Sequence, residues 1–134
     1  MTVQGDIPKQ WSKFYKEGIA DRIPNKVDRT IYAVYTNYAS DYNGEYDFII
    51  GMKVSSVSDA GMVVKKIPNG RFAIITSAKG PVEQVVPQAW QRVYSLDERK
   101  QLGGARAYKA DFEVYDQRSQ NPQDAQVDLY IGLK

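Results

Sequence analysis

The chain has 134 residues, and neither a cysteine nor a histidine is among them. Without cysteine there is no disulfide framework, no thiol nucleophile and no thiolate zinc site. Without histidine there is no Ser-His-Asp triad, no imidazole base and no imidazole metal ligand. Long apolar runs are missing too. None approaches the roughly 20 residues that span a bilayer, and no signal-peptide pattern opens the chain, so a cytoplasmic protein without membrane contact is expected. Charge of one sign is also scarce: 18 basic against 16 acidic residues leave a net +2, too small and too evenly spread to argue for nucleic acid. Any chemistry falls to carboxylates, phenols, hydroxyls and lysines, and no cofactor or metal is implied. What is abundant is tyrosine, ten of them beside two tryptophans and four phenylalanines, an inventory suited to a binding surface. A 43% hydrophobic and 25% charged composition fits one soluble globular domain over residues 1–134.

Asp6-Ile7-Pro8 reads as the start of a helix, with Asp as cap and Pro in the first turn, where its missing N–H costs nothing. Trp11, Phe14, Tyr15 and Ile19 follow at helical spacing, and Gly18 and then Pro24 stop it. Residues 29–38, rich in β-branched and aromatic side chains, predict a strand. The turn Asp41-Tyr42-Asn43-Gly44 would return it as Tyr46 to Val54. Met62 to Ile67 and Arg71 to Thr76 are further strand candidates around Pro68-Asn69-Gly70. A second helix runs from Gly80-Pro81 to about Leu96, with Pro87 either kinking it or marking its start. Tyr108 to Tyr115 and Val127 to Leu133 are the last strands, separated by the polar turn Gln117 to Gln126.

The two halves repeat. Trp11 with Tyr15 recurs 79 residues on as Trp90 with Tyr94, and Ile7-Pro8 as Val86-Pro87. Val34-Tyr35 recurs 80 residues on as Val114-Tyr115, and Asp47 to Lys53 recurs 81 on as Asp128 to Lys134. The shift grows by one at each loop, where insertions are tolerated. This predicts an α+β fold of two strand–helix–strand–strand modules, about 5–67 and 71–134, related by a pseudo-twofold axis. The strand before the second helix, near residues 71–77, maps to positions before Met1, so the first copy lacks its opening strand or keeps a stub in Thr2–Gln4. A sheet edge left open in this way would suit self-association as a homodimer.

The segments that carry the repeat resemble a known family, the gyrase-inhibitor-like or AraC-type effector-binding domain. The carrying residues are Trp11 with Phe14, Ile31 to Tyr35, the run from Asp41 through Tyr46 to Gly51, and Lys79-Gly80-Pro81. Val86-Pro87 with Trp90, Phe112-Glu113-Val114-Tyr115 and Leu129-Tyr130-Ile131 complete the set. The resemblance implies a duplicated fold, an antiparallel sheet carrying two helices, with a ligand groove where the halves meet. It implies binding of small molecules, often lipophilic and cationic drugs, a signal that regulators of the family pass to an attached DNA-binding domain. Without such a domain in view, the chain resembles the stand-alone members, including those carried on integron cassettes. Direct DNA binding is then not expected, and a separate transcription regulator is the partner to look for.

Function in a duplicated fold shows where symmetry breaks. Glu113 stands where the first copy has Ala33, and Tyr130 where it has Ile49. Alternation along a strand puts Glu113 on one face with Asp111 and Tyr115. The resemblance places this glutamate at the bottom of the drug pocket. Among aromatic rings a carboxylate is poorly solvated, and a lipophilic cation would supply its countercharge, helped by cation–π attraction to tyrosine and tryptophan faces. The candidate ligand-binding residues are Glu113, Tyr115, Tyr130, Trp90, Trp11, Tyr35, Ala33 and Ile49. Trp11 and Trp90 serve equally well as core anchors or groove walls. Tyr130, beside Gly132, would project into the space that glycine leaves. Two other readings stand beside this one. Some relatives are hydrolases of reactive electrophiles, for which Glu113 with Tyr115 or Tyr130 would be the acid–base pair. A gyrase-inhibitor-like role would instead use a protein-binding surface.

Overall fold

The computed structural model describes residues 7–39, 46–55, 66–67 and 70–134. Helix α1 spans Ile7–Lys16, with Pro8 in its first turn and Lys13 and Lys16 in its last, where cations favour the carbonyl end. It buries Phe14. Gly18 adopts a left-handed φ of 58°, which breaks the helix and starts the short α2, Ile19–Arg22. Strands β1 (Lys26–Thr36) and β2 (Asp47–Val54) complete the first half. The second half runs β3 (Arg71–Thr76), α3 (Val82–Glu98), β4 (Arg106–Tyr115), a 3-10 turn at Gln117–Ser119, and β5 (Asp128–Leu133).

The elements agree with the expected α+β fold, with local corrections. Pro87 lies in the body of α3 rather than at its start; the carbonyl it leaves without a partner belongs to Glu83, an exposed residue that water can reach. Strand β1 begins three residues earlier than expected. Lys66 and Ile67 are not in a strand. The expected cap Asp6, the Thr2–Gln4 stub, the turn at Asp41–Gly44 and the rest of the Met62–Ile67 candidate lie outside the described residues, as do Pro68 and Asn69.

The five strands form one antiparallel sheet in the order β2-β1-β4-β5-β3. The sequences of elements α1–β1–β2 and α3–β4–β5 match, and their strands β1 and β4 pair at the middle of the sheet. In that pair Ala33 faces Glu113. Their numbers differ by the repeat shift, so this pair straddles the pseudodyad. Strand β3 adds to the outside of β5, while β2 forms the opposite edge among the described residues.

Alternation divides the sheet into two faces. One face carries Ile75, Leu129 and Ile131, which pack with Ala89 and Val93 of α3 and with Leu102 and Val127 in the hydrophobic core. Leu129 and Ile131 have no exposed surface, and truncating either to alanine would cost about 2–5 kcal/mol. The other face carries a row of rings from four strands, Tyr32, Phe112, Tyr130 and Phe72.

Candidate ligand-binding site

Glu113 projects from β4 on the sheet face met by α3, where Trp90 reaches it. Its neighbours along this face of β4 are Asp111 and Tyr115, and across the strand pair stand Ala33, which is fully buried, and Tyr35. An alanine opposite leaves room for the longer acid. Glu113 is itself only 2% exposed.

Its carboxylate is satisfied by three donors. The Tyr115 hydroxyl donates to Oε1 at 2.6 Å, and the Trp90 indole N–H and the Tyr35 hydroxyl donate to Oε2 at 2.6 and 2.9 Å. All three donors are neutral. Among the described residues Glu113 takes part in no salt bridge. Burial pushes its pKa up, and the hydrogen bonds from Tyr115, Trp90 and Tyr35 offset that only in part. Burial and the Glu113 charge push the Tyr35 and Tyr115 hydroxyls up as well, so both stay protonated as donors.

Asp111, two residues away on the same face, is treated differently. Arg106 pairs with it at 2.7 Å, both side chains being buried, and the Tyr38 hydroxyl and the Gly132 N–H also donate to it, at 2.6 and 2.8 Å. Burial works against the Arg106 charge, but the Asp111 carboxylate more than offsets it and raises the guanidinium's pKa. The guanidinium lies 4.4 Å from the centre of the Tyr108 ring and 6.0 Å from that of Trp90. A spacing of five would put Arg106 and Asp111 on opposite faces of a regular strand. They share a face because β4 bulges: Arg106 pairs with Leu133 and Asp111 with Ile131, and Tyr108 between them has a left-handed φ of 55°.

Rings enclose the acid. Trp11 of α1 meets Tyr115 edge-on at 4.9 Å and stacks on Tyr15. Trp90 of α3 meets Tyr35 at 5.2 Å and tilts against Tyr94. Tyr35 also packs on Tyr46 and Phe48. The two Trp–Tyr pairs, one helical turn apart in each copy, stand on either side of the dyad, and Tyr15 and Tyr94 are 65% and 49% exposed. Both tryptophans are half-buried; Trp11 touches Tyr115, a hydrogen-bond partner of the acid, and Trp90 donates to the acid itself.

Glu113, Tyr115, Tyr35, Trp90 and Ala33 therefore come together, with Trp11 joined to them through Tyr115. Tyr130 and Ile49 do not. Glu113 pairs with Leu129, and the next residue along β5, Tyr130, points to the other face, where it stacks on Phe112 at 4.7 Å with ring planes 9° apart. Ile49 pairs with Val34 and shares that other face. Nor does Gly132 leave a vacancy: a Cβ there would lie 2.8 Å from the Ala110 carbonyl oxygen. The repeat would pair Tyr130 with Val114 as Ile49 pairs with Val34, but the sheet pairs it with Phe112, two places along, and which face either residue takes depends on that pairing. Tyr38, Tyr46, Tyr94 and Arg106 lie beside this group without being among the candidate ligand-binding residues. Tyr94 was recoverable as the repeat of Tyr15; Arg106 was hidden by the bulge.

Among the described residues no cluster of acidic side chains could hold a metal ion, and no helix is long and apolar enough to cross a membrane. Residues 1–133 match the family profile described as integron-associated effector binding protein. The chain is 31% identical over 137 positions to YobU of Bacillus subtilis, a provisionally named transcriptional regulator, covering 100% of this chain and 83% of that protein. It is 37% identical over 101 residues to the transcriptional regulator BrlR of Pseudomonas aeruginosa, covering 71% of this chain and 36% of BrlR. The family and these relatives point to small-molecule binding rather than catalysis. The chain belongs to the integron-associated effector-binding protein family.

Proposed function

We propose that this protein binds lipophilic organic cations between α1 and α3, with Glu113 as the counterion. The observation that carries the reading is the contrast between two buried acids on one strand face. Asp111 has an arginine; Glu113 has three neutral donors and, among the described residues, no cation. A cationic guest would complete Glu113 in surroundings where charge pairing is far stronger than in water. The faces of Trp90, Tyr35, Tyr115 and Trp11 would add cation–π attraction of about 2 kcal/mol when desolvated. Stacking on rings demands few matched hydrogen bonds, so the site would accept guests of varied shape. The regulator names of the relatives support a role in which the bound state is a signal in the control of transcription.

The test is calorimetric titration of a lipophilic quaternary ammonium and of its uncharged carbon isostere into wild type and Glu113→Gln. The variant should weaken the ammonium by about tenfold or more and leave the isostere unchanged. Uptake of the cation by the wild type should release protons, because the guest favours the ionised form of a carboxyl that burial has pushed up. Equal weakening of both ligands would overturn the reading.

A further inference from the structure

The Arg106–Asp111 pair stands next to the proposed cation site and shares a wall with it. Trp90 donates its N–H to Glu113 while its ring lies 6.0 Å from the Arg106 guanidinium carbon. Alternate residues on one face of a strand are about 7 Å apart, so Asp111 and Glu113 form a short ladder of two acids. The first rung is a carboxylate that accepts a hydrogen bond from Tyr38 and is filled by a cation from the chain itself, Arg106, whose guanidinium lies against the rings of Tyr108 and Trp90. The second is a carboxylate flanked by Tyr35, Tyr115 and Trp90, with no such cation among the described residues.

The pair is costly as a purely structural device. Arg106 and Asp111 are 5% and 0% exposed, and the Arg106 Nε is buried without a hydrogen-bond partner among the described residues. An apolar pair of similar volume would avoid that desolvation. What an apolar pair and an ion pair share is a net charge of zero; what Arg106 alone controls is whether Asp111 counts toward the charge of the site.

Building on the cation-binding reading above, we infer that Arg106 is a specificity residue that sets the charge number of the guest. By neutralising Asp111 it leaves a single uncompensated acid, and so selects monocations over dications. Replacing Arg106 with an apolar residue leaves two acids about 7 Å apart, a match for a dication. Replacing Asp111 with its amide leaves Arg106 to compensate Glu113, and the site becomes neutral overall.

The experiment uses two matched probes on the full chain. One is p-xylylene-bis(trimethylammonium), with charges about 7 Å apart, the spacing of alternate strand residues. The other is (4-methylbenzyl)trimethylammonium, with the same ring and one charge. Wild type should prefer the monocation. Arg106→Met should shift the preference toward the dication by about tenfold or more, and Arg106→Met/Asp111→Asn should return it to the wild-type ratio. Asp111→Asn alone should weaken the monocation by about tenfold or more without affecting its uncharged isostere. Wild type preferring the dication, or Arg106→Met leaving the ratio unchanged, would overturn the proposal. Where Arg106→Met is unfolded by circular dichroism, Asp111→Asn decides: unchanged monocation affinity overturns it. Failure of the wild type to bind either cation would remove the underlying reading as well, whereas Glu113-dependent binding with an unchanged ratio removes this inference alone.

Discussion

Ala33 lies directly opposite Glu113 across the β1–β4 pair, on the axis that relates the two halves. An exact duplicate would present two acids or two methyl groups there. Two carboxylates at that distance could not both ionise, so a single acid on the axis is the arrangement that leaves a full charge available. Ala33 is fully buried, and Ala33→Leu should cost about 1–3 kcal/mol by overpacking. It should also abolish uptake of charged and uncharged ligands alike. Urea unfolding and dye titration would separate this steric loss from the charge-selective loss expected of Glu113→Gln.

Acid titration offers a second check. Burial raises the Glu113 pKa in the native state above its ordinary 4.5, so the native state holds that proton more tightly than the unfolded chain does. The associated stability is fully present below the ordinary value and is lost as pH rises through the raised native one. The melting temperature of wild type relative to Glu113→Gln should therefore fall across that window. Asp116 and Asp128 are held low by Arg118 and act in the opposite direction, but they are common to both proteins and cancel in the difference. A flat difference would mean that the carboxyl titrates as it does in water.

Trp90→Phe keeps a ring in the wall and deletes the N–H bound to Glu113 at 2.6 Å. A hydrogen bond to a charged group contributes about 1.5–3 kcal/mol, so the loss should move the Glu113 titration further up. The pH midpoint of cation binding should rise with it, and an unmoved midpoint would show that the indole N–H does not act on the acid.

Gly132→Ala would force a Cβ to within 2.8 Å of the Ala110 carbonyl oxygen. The obstacle is backbone, so β4 and β5 must separate, at an expected cost of about 1–3 kcal/mol in chemical denaturation. The same shift would draw the Gly132 N–H away from Asp111, which it now meets at 2.8 Å.

The fold was legible because its signals are local. Gly18 stops α1, β-branched and aromatic runs mark β1 and β2, and the Trp-x-x-x-Tyr pairs at 11–15 and 90–94 reveal both helices and the repeat. The broken symmetry at Ala33 and Glu113 singled out the acid, and the family resemblance implied its buried place. Tyr130 and Ile49 were misplaced for a reason of the same kind: their face is fixed by register with β4 and β1, and register is a long-range property. Arg106 lay beyond reach because its side chain is turned to Asp111 by the bulge around Tyr108, and no alternating pattern announces a bulge.

Glu113 is sealed, with 2% of its surface exposed and each oxygen already met by a ring-borne donor. On the proposed reading, a guest would reach the acid only after Tyr35, Tyr115 or Trp90 gives way. Admission, not encounter, would then limit capture. Observed association should level off at a ceiling set by side-chain and helix rearrangement instead of climbing in proportion to ligand concentration, and release should be slow for the same reason.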